Sequence, residues 1–238
     1  MTRVLRAIKR LARDTAGASL VEFTIVFPVF AALAFGIVDV GFMMYRWNAA
    51  AKATHAGARA AIIRDPIATG LGDLMTQYWN VEGFGYYQNI GLNCQDATGA
   101  RIAANCPRIE VRCVIGTASG TCTSDFGQTH TFDDTKFGPI FNKMRLAFPE
   151  LSREFVRISY KTTGLGFAGR PNLPMEVSVS IRCMTQELFF SGLYNLVAPA
   201  PPADCPAGTP RGWQIPASTT TLTSEDFKTN DGIPAAVQ

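Results

Sequence analysis

The sequence predicts an α+β fold: a long N-terminal hydrophobic helix carrying a small antiparallel-sheet head stapled by disulfides. Three observations predict it. Residues 23–42 form an almost unbroken apolar run that passes directly into an alanine-rich stretch. Further along, short segments alternate apolar and polar residues with the period of two expected of half-buried strands. All six cysteines, Cys94, Cys106, Cys113, Cys122, Cys183 and Cys205, follow the apolar run, and none precedes it.

The charge is distributed unevenly. Residues 1–17 hold Arg3, Arg6, Lys9, Arg10 and Arg13 against Asp14 alone. The rest of the chain has 17 basic and 18 acidic residues, a net of −1. The basicity therefore belongs to a leader, and nucleic acid is not an expected partner, because its binding needs a basic face on the folded domain. Five basic residues ahead of an apolar run fit the positive-inside rule and hold this end in the cytoplasm. Cysteines confined to the opposite side then read as disulfides in an oxidising compartment. No metal or cofactor is expected. There is no CxxC, and the two histidines, His55 and His130, are not at ligand spacing.

Residues 23–42 supply the ~20 residues needed to cross a hydrocarbon core of about 30 Å. A secretory signal peptide has a shorter apolar region, about 7–15 residues, followed by a small-residue cleavage site. Here the helix continues instead, through the alanines of residues 48–64, until Asp65-Pro66 stops it. Pro28 removes one backbone donor inside the run, so a kink or local loosening is expected there. The expected division is leader 1–17, transmembrane helix 18–45, a continuation of the helix beyond the membrane 46–65, an α+β head 66–197 and a proline-rich and polar tail 198–238. Residues 18–64 as one rod would measure about 70 Å. Ala53, Gly57 and Ala61 recur at i+4. They read either as a close helix-packing stripe or as a plain alanine-rich face covering the head.

In the head, residues 109–115, 155–160 and 175–184 read as strands. A helix is expected to begin near Pro139 and place Ile140, Phe141, Met144 and Phe148 on one face. The aromatic segment containing Tyr78, Trp79, Phe84, Tyr86 and Tyr87 is either core or a partner surface. Prolines crowd residues 199–216, which implies extended chain, and Cys205 implies that this chain is stapled back. The favoured pairings are Cys113–Cys122, Cys183–Cys205 and Cys94–Cys106, among about 15 possible connectivities. Residues 218–238 are expected to be polar and mobile.

Two carboxylates in the apolar segment need an explanation. Gly17, then four residues, then Glu22-Phe23 at the cytoplasmic boundary resembles the class III signal of type IV pilins and pseudopilins. Leu20, Val21, Phe27-Pro28-Val29 and the Gly36-Ile37-Val38-Asp39-Val40-Gly41 element narrow this. Together they resemble the TadE-like pseudopilins of the tight-adherence (Tad/Flp) pilus system. The resemblance covers residues 17–64. It implies a pilin-like fold, processing between Gly17 and Ala18 by a prepilin peptidase, and no enzymatic activity. Glu22 and Phe23 would form an assembly contact, with Pro28, Gly36, Asp39 and Gly41 as a helix element. The implied protein is a minor pseudopilin serving adhesion and biofilm formation. It would cross the bacterial inner membrane once, with the head periplasmic, and enter a pilus or assist its assembly. Its partners would be the peptidase, other pilins and pseudopilins, and the Tad assembly platform. A buried carboxylate with one correct partner, such as a neighbour's new α-amino group, can serve as a register device.

Rival readings come from other classes. The chain could be an uncleaved, signal-anchored periplasmic binding protein that uses residues 78–87, or an anchored hydrolase. Residues 164–169 spell GxGxxG, but Arg170-Pro171 follows where a dinucleotide site needs a helix to start, so a turn is expected. His130 near Asp133 and Asp134 reads as a surface residue without a nucleophile motif. The Asp133-Asp134 pair reads as a solvated turn rather than a cation site.

Overall fold

The computed structural model describes residues 17–71, 92–102, 108–125, 129–166, 174–186, 189, 198 and 200–224. Helix α1 (Ala18–Ile62) is one continuous 45-residue element that includes Pro28. At roughly 1.5 Å per residue it is about 68 Å long. Its two halves meet different surroundings. From Leu20 to Trp47 its large apolar side chains other than Met43 are exposed, whereas Ala49, Ala50, Ala53, Ala58, Ala60 and Ala61 are buried against the head.

The head is a two-layer α/β arrangement. A six-stranded antiparallel sheet runs in the order β3-β2-β1-β4-β5-β8. Its strands are β1 (Glu110–Ile115), β2 (Gly120–Ser124), β3 (Thr129–Thr131), β4 (Val156–Thr162), β5 (Met175–Ile181) and β8 (Ser218–Ser224). A separate two-stranded ribbon joins β6 (Thr185–Gln186) to β7 (Trp213–Gln214). Strand alternation is what makes the layer possible. Val111, Cys113, Ile115, Ile158, Tyr160, Val177 and Val179 point to one face and are buried. The opposite face carries Arg112, Lys161, Glu176 and Ser178, where Lys161 and Glu176 are direct cross-strand partners 3.7 Å apart.

Helix α1 and helix α2 (Asp134–Ala147) cover the buried face, and α1 also packs along β5 and β8. Gly57 lets α1 come close. A Cβ at this position would lie 2.7 Å from Met144 Sδ and 3.2 Å from Val179 Cγ1. The small-residue stripe is therefore used inside the chain, against its own head. Tyr160 is fully buried, its hydroxyl accepts the Ile67 N–H at 3.1 Å, and burial pushes its phenol well above the ordinary value.

Three expectations change. Helix α2 begins at Asp134, before Pro139, because the Asp133 carboxylate caps it by accepting from the N–H groups of Thr135 and Lys136. Pro139 forfeits one early intrahelical bond and is tolerated within the helix. His130, expected at the surface, is buried on β3 opposite Cys122, with Nδ1 3.2 Å from the Thr69 carbonyl oxygen. In the C-terminal stretch expected to be polar and mobile, Ser218–Ser224 forms edge strand β8. It pairs with β5 along all seven residues. Its threonines are β-branched and suit a pleated sheet, and Thr220 and Ser218 turn inward.

Candidate functional site on the long helix

The residues singled out for processing and assembly occupy the exposed half of α1. Gly17 is the N-cap, with φ −87° and ψ −9°, so the helix proper starts at Ala18. Glu22 and Phe23 are exposed in the first turns. The Phe23 and Phe27 rings stack with centroids 5.2 Å apart, as an i, i+4 pair on one face should. Thr24 turns its hydroxyl back to the Val21 carbonyl at 2.8 Å, hiding a polar group that an apolar solvent would penalise. Around Gly36 and Gly41 nothing lies within 4 Å of a would-be Cβ, in contrast to Gly57. Leu20 through Trp47 presents Ile25, Val26, Phe30, Leu33 and Ile37 each more than 60% exposed. An apolar surface of this extent is untenable in water and suits a bilayer or the shafts of neighbouring helices. The helix is long and apolar enough to cross a membrane.

Asp39 is not isolated. Its Oδ2 accepts the backbone N–H of Phe189 at 3.0 Å, and the Phe189 ring stacks on Phe35 with centroids 4.2 Å apart. Sequence reasoning missed this partner, which lies 150 residues away. It also missed the Arg46–Glu150 ion pair at 2.8 Å, which ties α1 to the chain just beyond α2. A third omission is buried Thr54, whose hydroxyl lies 2.9 Å from that of Thr220 and 3.3 Å from that of Ser218.

Nearly all of this helix is what the comparisons match. Residues 17–59 fit the family model described as TadE-like protein. This segment is TadE-like. The match opens on Gly17 and runs through Glu22, Pro28 and Asp39 into the part of α1 that packs on the head. No curated protein and no solved structure matches the chain. The TadE-like family is associated with Tad pili and the membrane.

The remaining motifs find structural places. Cys113 is bonded to Cys122 across the β1–β2 hairpin, where the two are directly opposed, and Cys183 is bonded to Cys205. These are two of the favoured pairings. Cys94 is also disulfide-bonded, while Cys106 lies outside the described residues. Cys183, Cys205 and Asp204 cluster closely, but the sulfurs are joined to each other and offer no thiolate to a metal. Gly164 and Gly166 have φ of +74° and +98° in the connection after β4, where the chain turns, and residues 167–170 are outside the described residues. Asp134 pairs with Arg153, so the Asp133-Asp134 pair is occupied by a cap and an ion pair. His55 is exposed on α1. The aromatic segment 78–87 lies outside the described residues.

Proposed function

We propose that the chain is a minor pseudopilin of a Tad/Flp pilus, cut after Gly17 by a prepilin peptidase on the cytoplasmic side of the inner membrane. The observation that carries this reading is the TadE-like match opening at Gly17, the residue at which the exposed apolar helix begins. Cleavage there leaves Ala18 as the first residue and Glu22 as the fifth. The new α-amino group of one subunit is then the natural partner for Glu22 of another. Misplaced subunits would leave that carboxylate unpaired in an apolar shaft, which is costly. The exposed half of α1 supplies lateral packing, and the head faces the periplasm. A head of this bulk hinders repeated packing along a filament, so the chain acts at the tip, in priming or in assembly, in support of adhesion and biofilm formation. Its partners are the peptidase, other pilins and pseudopilins, and the Tad assembly platform.

The decisive experiment is N-terminal sequencing with intact mass of membrane-extracted protein from cells with and without the peptidase. A start at Ala18 that depends on the peptidase is expected. An intact leader in both strains would sink the processing step and return the chain to an anchored periplasmic protein. Glu22→Ala should abolish or sharply reduce piliation and leave the urea unfolding of the head unchanged; normal pili in that strain would remove Glu22 from the assembly contact.

A further inference from the structure

We propose that Phe189 is a membrane-inserting residue. It is clasped to α1 by Phe35 and Asp39 and reaches into the outer leaflet. The inference rests on reading α1 as a membrane span with the head on the periplasmic side.

Depth along the helix is the first argument. If residues 23–42 fill the hydrocarbon core, Asp39 lies three residues and Phe35 seven residues inside its outer end. At ~1.5 Å per residue these depths are about 5 and about 10 Å. That is the depth at which interfacial elements bury their apolar faces, roughly 5–10 Å. Phe189 touches both residues, so it shares this depth.

Polar satisfaction is the second. A carboxylate at that level is expensive unless it has a partner, and a backbone N–H there needs an acceptor just as much. The 3.0 Å bond from the Phe189 N–H to Asp39 Oδ2 satisfies one with the other. The stacked Phe35 and Phe189 rings, inclined by 16°, cover part of each other. Phe189 nevertheless keeps 64% of its surface exposed, directly on the apolar flank of the helix. In water that surface would be a liability. In the interfacial layer it is where aromatic rings collect.

The helix surface gives the third. In its exposed half, Ala31, Gly36, Asp39, Met43 and Arg46 are half-buried while their neighbours are exposed. From Gly36 onward their spacings of three and four residues trace one stripe. The stripe continues the face of Ala50, Ala53 and Gly57 that packs on the head. Among the described residues the head therefore approaches α1 along this stripe, and the opposite side stays open for lipid or for other helices.

Two measurements test the proposal. The full chain with Trp47, Trp79 and Trp213 changed to Phe receives Phe189→Trp and is reconstituted in phosphatidylethanolamine–phosphatidylglycerol vesicles. Lipids brominated near the top of the acyl chain should quench the new tryptophan strongly, and aqueous acrylamide weakly. Free access of acrylamide with no quenching by bromolipid would overturn insertion. The second measurement keeps the native tryptophans. In lipid nanodiscs, amide exchange at residue 189 should rise about tenfold in Asp39→Leu, the loss of a bond to a charged acceptor. It should stay near the native rate in Asp39→Asn, which retains an oxygen acceptor. Equal exchange in the native chain and Asp39→Leu would overturn the clasp. N-terminal sequencing of the same samples keeps the two readings apart. Quenching with an uncleaved leader removes processing but not insertion, and a start at Ala18 without quenching does the reverse.

Discussion

The two halves of α1 obey opposite rules although they form one uninterrupted helix. Below Trp47 the helix carries bulky apolar residues and leaves them exposed on all but the stripe from Gly36 to Arg46. Above Asn48 it carries small residues and buries them. A helix that is apolar all round suits a bilayer or a bundle of its own kind. A helix with a small-residue face suits close approach to a preformed layer. The contrast between Gly41 and Gly57 states this in two residues: the first has nothing within 4 Å of a would-be Cβ, the second meets Met144 at 2.7 Å. The lower half is thus shaped for partners outside the chain, and the upper half is the spine of the head.

Substitutions can break or sharpen that contrast. The largest effect should come from Gly57→Leu. Its side chain must displace Met144 and Val179, which should cost about 3 kcal/mol or more of head stability, read as a lower urea midpoint of the detergent-solubilised protein. Gly41→Leu in the same assay should leave the head unfolding where it was. A comparable drop in both would mean that the lower half is also a structural part of the head.

Replacing Cys183 and Cys205 together by serine frees a 22-residue separation and should destabilise the head by about 3 kcal/mol. The same pair of changes should loosen β7 and β8, whose amides would exchange faster. The tail is further held by Arg182 to Asp204 at 3.3 Å and by Arg157, which donates to the Asp204 carbonyl at 3.3 Å. Retained protection of β8 in the double serine variant would show that pairing with β5 suffices.

Thr54→Val removes a hydroxyl that sits between α1 and β8. It leaves the buried Ser218 and Thr220 hydroxyls one partner short, which should cost about 1–3 kcal/mol. Hydrogen exchange should locate the loss at the α1–β8 seam; a uniform loss across the head would argue against a local seam.

The smallest effect concerns the cap of α2. Asp133→Ala should cost about 1 kcal/mol at neutral pH. Its carboxyl is held below the ordinary value, first by the Thr135 hydroxyl and then by the N–H groups of Lys136 and Thr135. A carboxyl with a lowered folded value stabilises the fold above its unfolded pKa of about 4 and loses that contribution as pH falls through the folded value. The gap between native and Asp133→Ala urea midpoints should therefore narrow from about pH 6 down to about pH 3. A gap that held constant would mean that the cap acts through geometry without its charge.

Much was legible without coordinates because it depends on local order. The apolar run, its continuation to Asp65-Pro66 and the alternation of residues 109–115 and 175–184 are properties of neighbours in the chain. The strands appear as β1, within one residue of the first range, and as β5, which starts at residue 175 and ends three residues short of 184. The hairpin pairing of Cys113 with Cys122 was readable for the same reason, with partners only nine positions apart. Threonine-rich β8 was not readable as a strand. Its threonines favour extended chain but do not by themselves distinguish an edge strand from a polar tail, and its choice is made by β5, to which it is hydrogen-bonded. The start of α2 was misplaced because a proline signal at residue 139 competed with a carboxylate cap at residue 133, and the cap satisfies donors that the proline cannot.

The sequence by itself determined that the chain has a membrane-competent helix, a TadE-like start, a cysteine-bearing α+β head and a basic N-terminal stretch. Each of these is written in composition or in spacings shorter than a helical turn or a hairpin. Only the tertiary structure decided which face of α1 is consumed by the head, that His130 is buried, and that Asp39 answers to Phe189. Those outcomes depend on groups 60 to 150 residues apart in the chain. Packing and the need to satisfy buried polar groups bring such groups together, and local periodicity carries no record of them.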